Sequence, residues 1–88
     1  MLYLINSEPH FSNPSEIDHA KVEFVNWLKN LKAEKKLVSA YQKIGKGSIV
    51  IFDVSSNDEL NELMSKWLKI ASVPITYEVM PLPSPIEI

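Results

Sequence analysis

The chain has 88 residues, enough for one domain and close to the size at which core burial is marginal unless something else contributes. Its apolar fraction of 45% and charged fraction of 23% are those of an ordinary globular protein. No cysteine is present, which removes disulfides, thiolate nucleophiles and cysteine-ligated metal sites, and a net charge of -2 gives no electrostatic reason to bind nucleic acid or an anionic membrane.

The apolar run from Met1 to Ile5 is too short for a signal-peptide core or a membrane span and reads as the opening of a strand, Leu2 to Asn6. With the lack of cysteine, this sets the expectation of a reducing, cytoplasmic compartment. Pro9, Ser12, Asn13 and Pro14 then form a loop. Asn13 suits a helix N-cap, with Pro14 at the first helical position and Glu16 three residues after the cap. The helix it starts has an apolar stripe of Ile17, Ala20, Phe24, Trp27, Leu28 and Leu31, and it runs out in the charged stretch Lys32 to Lys36. Val22 and Val25 lie off that stripe; such a second apolar flank suits an assembly contact, although two valines are also tolerated on a surface.

Leu37 to Ile44 reads as a second strand and Ser48 to Val54 as a third, joined by Gly45-Lys46-Gly47, where glycine supplies the positive φ angles of a tight hairpin. Ser56 followed by Glu59 is a capping box, and Leu60, Leu63, Met64, Trp67, Leu68 and Ala71 make the buried stripe of a second helix. Pro74 closes the connection to a fourth strand, Ile75 to Met80. The tail Pro81 to Pro85 is expected not to extend the ladder, because proline lacks the N–H.

This βαββαβ order predicts a single α+β domain over residues 1–88, a ferredoxin-like arrangement with both helices on one face of a four-stranded antiparallel sheet. A three-residue Gly-Lys-Gly hairpin puts Val38, Ala40 and Ile44 on the helix-covered face with Val50, Phe52 and Val54. Leu37, Tyr41, Lys43, Ile49, Ile51 and Asp53 then share the open face, whereas a two-residue loop changes the cross-strand partners. The open face is too apolar for water and too polar for a plain core, so a second subunit's sheet or a ligand pocket is expected over it.

The whole chain resembles the muconolactone isomerase family. The resemblance is carried by Met1-Leu-Tyr3, Lys43-Ile-Gly45, Ile51-Phe-Asp-Val-Ser55 running into Asp58-Glu-Leu-Asn-Glu-Leu-Met64, Tyr77-Glu-Val79 and Pro83-Ser-Pro-Ile86. It implies α+β barrel dimers that assemble further and a cofactor-free isomerisation of small lactones in aromatic-compound breakdown. The chain departs from the family's basic and aromatic run on the second strand: it has Val38-Ser-Ala-Tyr-Gln-Lys43, leaving Lys43 at a basic position and Tyr41 near an aromatic one. The core stripe of the first helix also carries no carboxylate, and Phe24 takes the place where a family-type proton-transfer acid would sit.

A lactone isomerase moves a proton between carbons, which needs a base within hydrogen-bond reach and a donor for the enolate oxygen. Lys43 is the candidate for binding a substrate carboxylate or steadying an enolate, Tyr41 or Tyr77 for donating to the oxyanion, and Glu78 for the base. Their plainer readings are a solvated lysine beside a turn, packed strand tyrosines with hydroxyls at the rim, and a charge that protects an edge strand. His10, in the first loop, could reach over a pocket mouth. His19 faces Glu23 one turn on and reads as a surface pair. No second ligand stands at helical spacing from either histidine, so no metal is expected, and the resemblance implies no cofactor.

Two functions from different classes follow: a small cofactor-free isomerase acting on a lactone or organic acid as a homodimer or larger homo-oligomer, or a non-catalytic ligand-binding or assembly module of the same fold. RNA binding, which RNA-recognition motifs of the same element order perform, needs aromatics on the third strand where Ser48, Ile49 and Val50 stand.

Overall fold

The computed structural model describes residues 1–88. Its elements are β1 (Leu2–Pro9), α1 (Pro14–Ala33), β2 (Leu37–Gln42), β3 (Ser48–Asp53), α2 (Asn57–Ala71) and β4 (Ile75–Leu82). The four strands form one antiparallel sheet in the order β2-β3-β1-β4, so the two halves of the chain interleave and β1 and β3 are central. This is the expected ferredoxin-like βαββαβ fold. No helix is long and apolar enough to cross a membrane.

Local chemistry sets the helix ends. The Asn13 side chain accepts the Glu16 N–H, while the Glu16 carboxylate reaches back to the Ser12 N–H at 2.9 Å. In α2 the Ser56 hydroxyl accepts the Glu59 N–H, and the Glu59 carboxylate accepts from the Ser55 hydroxyl at 2.8 Å. In both caps the returning carboxylate binds the residue before the N-cap, a one-residue shift from the standard reciprocal box. At the other end of α1, Lys35 takes a left-handed φ of 62°, which lets the Lys36 N–H bond the Leu31 carbonyl at 2.9 Å and satisfy a carbonyl at the helix end.

The core lies between helices and sheet. Ile5, Val50 and Phe52 are sealed completely, and Trp27, Leu28, Leu31, Leu60, Leu63, Met64 and Trp67 descend on them. Phe24, Trp27, Phe52 and Trp67 form one aromatic cluster, with Phe24 stacked on Trp67 at 5.1 Å and Phe52 edge-on to it at 6.1 Å. Offset and edge-to-face contacts of this kind add to the burial itself. The predicted stripes hold at their centres and fray at their ends, where Ile17 and Leu68 are exposed.

Four details depart from expectation. The hairpin closes earlier: the Lys43 N–H donates to the Gly47 carbonyl, so the loop is Ile44-Gly45-Lys46 and Ile44 is fully exposed instead of packed beneath the helices. Ala40 pairs with Val50 and Tyr41 with Ile49, two residues from the partners a Gly-Lys-Gly loop implies, and this even shift keeps the alternation of faces. Further along, a bulge between Leu37 and Ser39 inserts one residue, and Leu37 pairs with Phe52 on the helix side, not on the open face. Finally, β4 continues through Pro81 to Leu82, opposite Tyr3 and Leu2. β4 is an edge strand, where every second N–H points away from the sheet and proline forfeits no ladder bond. β1 likewise runs on to Pro9, paired there with Ile75 of β4.

Candidate functional site

No element of the chain lies over the second face of the sheet. Strand register orders its side chains in rows. One row runs Tyr41, Ile49, Asn6, Glu78 from β2 to β4; the next runs Ser39, Ile51, Leu4, Met80. None of these eight is buried, against complete burial of Ile5, Val50 and Phe52 on the other face. Tyr41 is 62% exposed and Met80 52%. The apolar row and the polar row are adjacent, so the surface carries an apolar floor with a polar end toward the hairpin.

Lys43 stands beside this polar row. Its side chain crosses β3, where Gly47 raises no side chain against it, and its Nζ donates to Asn6 Oδ1 of β1 at 2.8 Å. Lys43 is half-buried as a residue, and the one protein partner of its ammonium is a neutral amide. Both ion pairs of the chain lie elsewhere, at Asp53 and between Lys36 and Glu34. An ammonium has three donors, so two remain for a ligand.

Glu78 is directly opposite Asn6 on the neighbouring strand, where facing side chains have Cβ atoms about 4.5–5.5 Å apart. Its carboxylate makes no hydrogen bond or ion pair within the chain. The lysine and the carboxylate thus flank one asparagine, while Tyr41 stands at the far end of the row, roughly 14 Å from Glu78 at three strand spacings. Three residues anticipated from the sequence, Lys43, Tyr41 and Glu78, therefore share one face. Tyr77 does not; it pairs with Ser7 on the helix side. Asn6 was not anticipated, although its alternation with Leu2 and Leu4 along an apolar strand marks it as a polar group on their face.

His10 Nε2 lies 2.8 Å from the Thr76 hydroxyl, two residues from Glu78, which brings the imidazole to the rim of the open face. His19 is exposed on α1 and forms no ion pair with Glu23, contrary to the pairing expected from spacing: exposed helix pairs gain only a few tenths of a kcal/mol, too little to hold both side chains. No three His, Asp or Glu side chains converge as a metal site would require.

No family model and no curated protein matches this sequence. Solved structures do match. Muconolactone isomerase superimposes with a TM-score of 0.69 over 99% of this chain and 96% of its own, at 18% identity. A 5-chloro-2-hydroxyhydroquinone dehydrochlorinase from Burkholderia phenoliruptrix, in complex with 2,5-dihydroxybenzoquinone, gives 0.66 over 89% of this chain and 91% of its own, at 22% identity. The leucine response regulatory protein of Mycobacterium tuberculosis gives 0.57 over 90% of this chain and 49% of that longer one, at 19% identity. At these identities the likeness is one of fold. The chain has the fold of the dimeric α+β barrels, which enzymes and regulatory proteins share.

Proposed function

We propose that the open sheet face, covered by the sheet of a second copy, binds a compact organic acid or lactone and isomerises it without a cofactor. The observation that supports this reading is Lys43: a half-buried lysine with no carboxylate partner, held by Asn6 over an apolar floor. An ammonium whose one protein partner is neutral leaves its charge for an anionic ligand to balance. A second sheet over the face excludes water from Leu4, Ile49 and Ile51 and strengthens the same electrostatic attraction.

In this reading Glu78 removes a proton from the saturated ring carbon next to the carbon–carbon double bond of an α,β-unsaturated lactone. The C–H electron pair becomes a new carbon–carbon double bond, the pair of the old one moves toward the carbonyl carbon, and the carbonyl becomes a dienolate, whose oxygen takes hydrogen bonds from Lys43 and, for a molecule spanning the row, Tyr41. The dienolate collapses as the proton passes from Glu78 to the carbon beside the carbonyl, and the double bond has shifted with no net gain or loss of atoms. The fold shared with muconolactone isomerase is consistent with this chemistry.

The purified protein is to be assayed with muconolactone-type lactones, beside the Lys43→Ala, Glu78→Ala double variant. Turnover that falls to background in the double variant supports the assignment; wild-type rates in it exclude these residues. A second reading, a non-catalytic ligand-binding or assembly module, is favoured by the absence of any carboxylate from the core stripe of α1 and by the exposure of Glu78 on an edge strand. Saturable binding of the lactone without turnover selects that reading.

A further inference from the structure

Helix α1 carries a second pattern on the side turned away from the core. Asp18, Val22, Val25 and Lys29 recur at intervals of four, three and four residues, the spacing of a coiled-coil seam. Val22 is 60% exposed and Val25 46%, so the two apolar positions at the centre of the seam meet only solvent. Asp18 and Lys29 cap the seam with opposite charges, and neither forms an ion pair within the chain. Val25 lines two shallow, open depressions of about 250 and 330 Å³, one shared with Leu37 and Ala40 of β2 and the other with Lys21 and Val22.

This pattern is complementary to itself in one orientation only. When two copies of α1 lie antiparallel about a two-fold axis with Val22 against Val25, the same register sets Asp18 against Lys29 and Lys21 against Asn26, each contact occurring twice. A parallel pairing instead sets Asp18 on Asp18 and Lys29 on Lys29. We infer that this seam is a self-association surface, distinct from the open sheet face, through which a second copy of the chain docks its own α1 antiparallel. A contact limited to one seam falls short of the roughly 1,200 Å² at which stable complexes begin, so it is a weak contact that extends an assembly. The occupant is a second copy because the charges match this helix reversed.

Disulfide trapping reads such contacts, and the chain has no native cysteine to interfere. Asp18→Cys and Lys29→Cys variants are mixed under copper-phenanthroline oxidation. Antiparallel docking brings position 18 of one chain to position 29 of the other, while like positions are 11 residues apart along the axis, about 16 Å. The mixed disulfide is expected to form at least several-fold faster than either self-disulfide. Equal rates, or faster self-disulfides, overturn the proposal.

A charge-reversal cycle tests the orientation separately. In a Val22→Cys plus Val25→Cys mixture, adding Asp18→Lys to both chains is expected to slow trapping about tenfold, and adding Lys29→Asp as well is expected to restore it. Failure of that rescue overturns the inference. Ile51→Glu on the sheet face is expected to leave the trapping rate unchanged; trapping that vanishes in Ile51→Glu means that the contact depends on the sheet face and overturns the independence of the seam.

Discussion

Ile51→Glu is the most informative perturbation of the open face, because its two expected consequences differ so much in size. Ile51 sits between Leu4 and Ser39, and its chain neighbours Val50 and Phe52 point the other way with 0% exposure. In an isolated chain the substitution leaves the helix-covered core untouched and costs no more than about 1 kcal/mol. In a pair of sheets the balance changes. Full burial of an isoleucine is worth roughly 1.5–3 kcal/mol, and Ile51 is already mostly covered by its strand neighbours, so the second sheet recovers at most about a third of that in each copy. Losing it twice forfeits roughly 1–2 kcal/mol per pair, about tenfold in dissociation constant. Two carboxylates withdrawn from water without partners add at least as much again. Sedimentation velocity across a dilution series, beside thermal melts, measures both effects: association is expected to weaken by two to four decades (about 10²–10⁴) while the melting temperature of the single chain moves by only a few degrees. A wild-type chain that stays monomeric at high micromolar concentration, or an Ile51→Glu variant that associates like wild type, refutes the reasoning.

Two further predictions concern the scaffold. Gly47 has φ +91°, and a Cβ built on it would fall 1.9 Å from the Ser7 carbonyl oxygen of β1, a backbone atom that cannot step aside; Gly47→Ala is expected to cost about 2–4 kcal/mol. Gly45→Ala, with φ +94° but open space around it, is expected to cost only about 1 kcal/mol, and urea midpoints for the two variants measure the difference. Trp67→Ala removes the ring that contacts Phe24, Trp27 and Phe52 together and is expected to cost about 3–5 kcal/mol, enough to leave much of a domain this small unfolded by circular dichroism.

The two helical stripes and the βαββαβ order were legible in the sequence because periodicity, caps and the glycine-bounded turn all agree. Strand alternation alone put Tyr41 and Lys43 on a common face, and the misplaced hairpin left that alternation intact because it shifted pairing by an even step; Glu78 joined them only through the register of β4 against β1. The bulge was not legible: Leu37-Val38-Ser39-Ala40 contains no glycine or proline to mark it, and the extra residue is fixed by how Leu37 seats against Phe52, a tertiary contact. The continuation of β4 through Pro81 was hidden for a related reason. Proline excludes a ladder only on the side where its N–H is needed, and that side depends on which strand lies at the edge. Asn6 became a site residue only once Lys43 was seen to cross β3, since nothing in sequence spacing joins a strand end to a lysine 37 positions away.

Both tryptophans of the chain lie beneath the helices, with ring centroids 5.9 Å apart, and neither touches the open sheet face or the outer seam of α1. Nature has thus separated the optical reporters of this protein from its candidate recognition surfaces. Tryptophan emission follows the packed interior, while of the three tyrosines only Tyr41 lies on the open face, and its part of the tyrosine signal follows whatever settles there. A titration in which the tyrosine signal moves and the tryptophan signal stays still therefore registers occupancy without unfolding, and the two processes can be followed in one cuvette with no label attached.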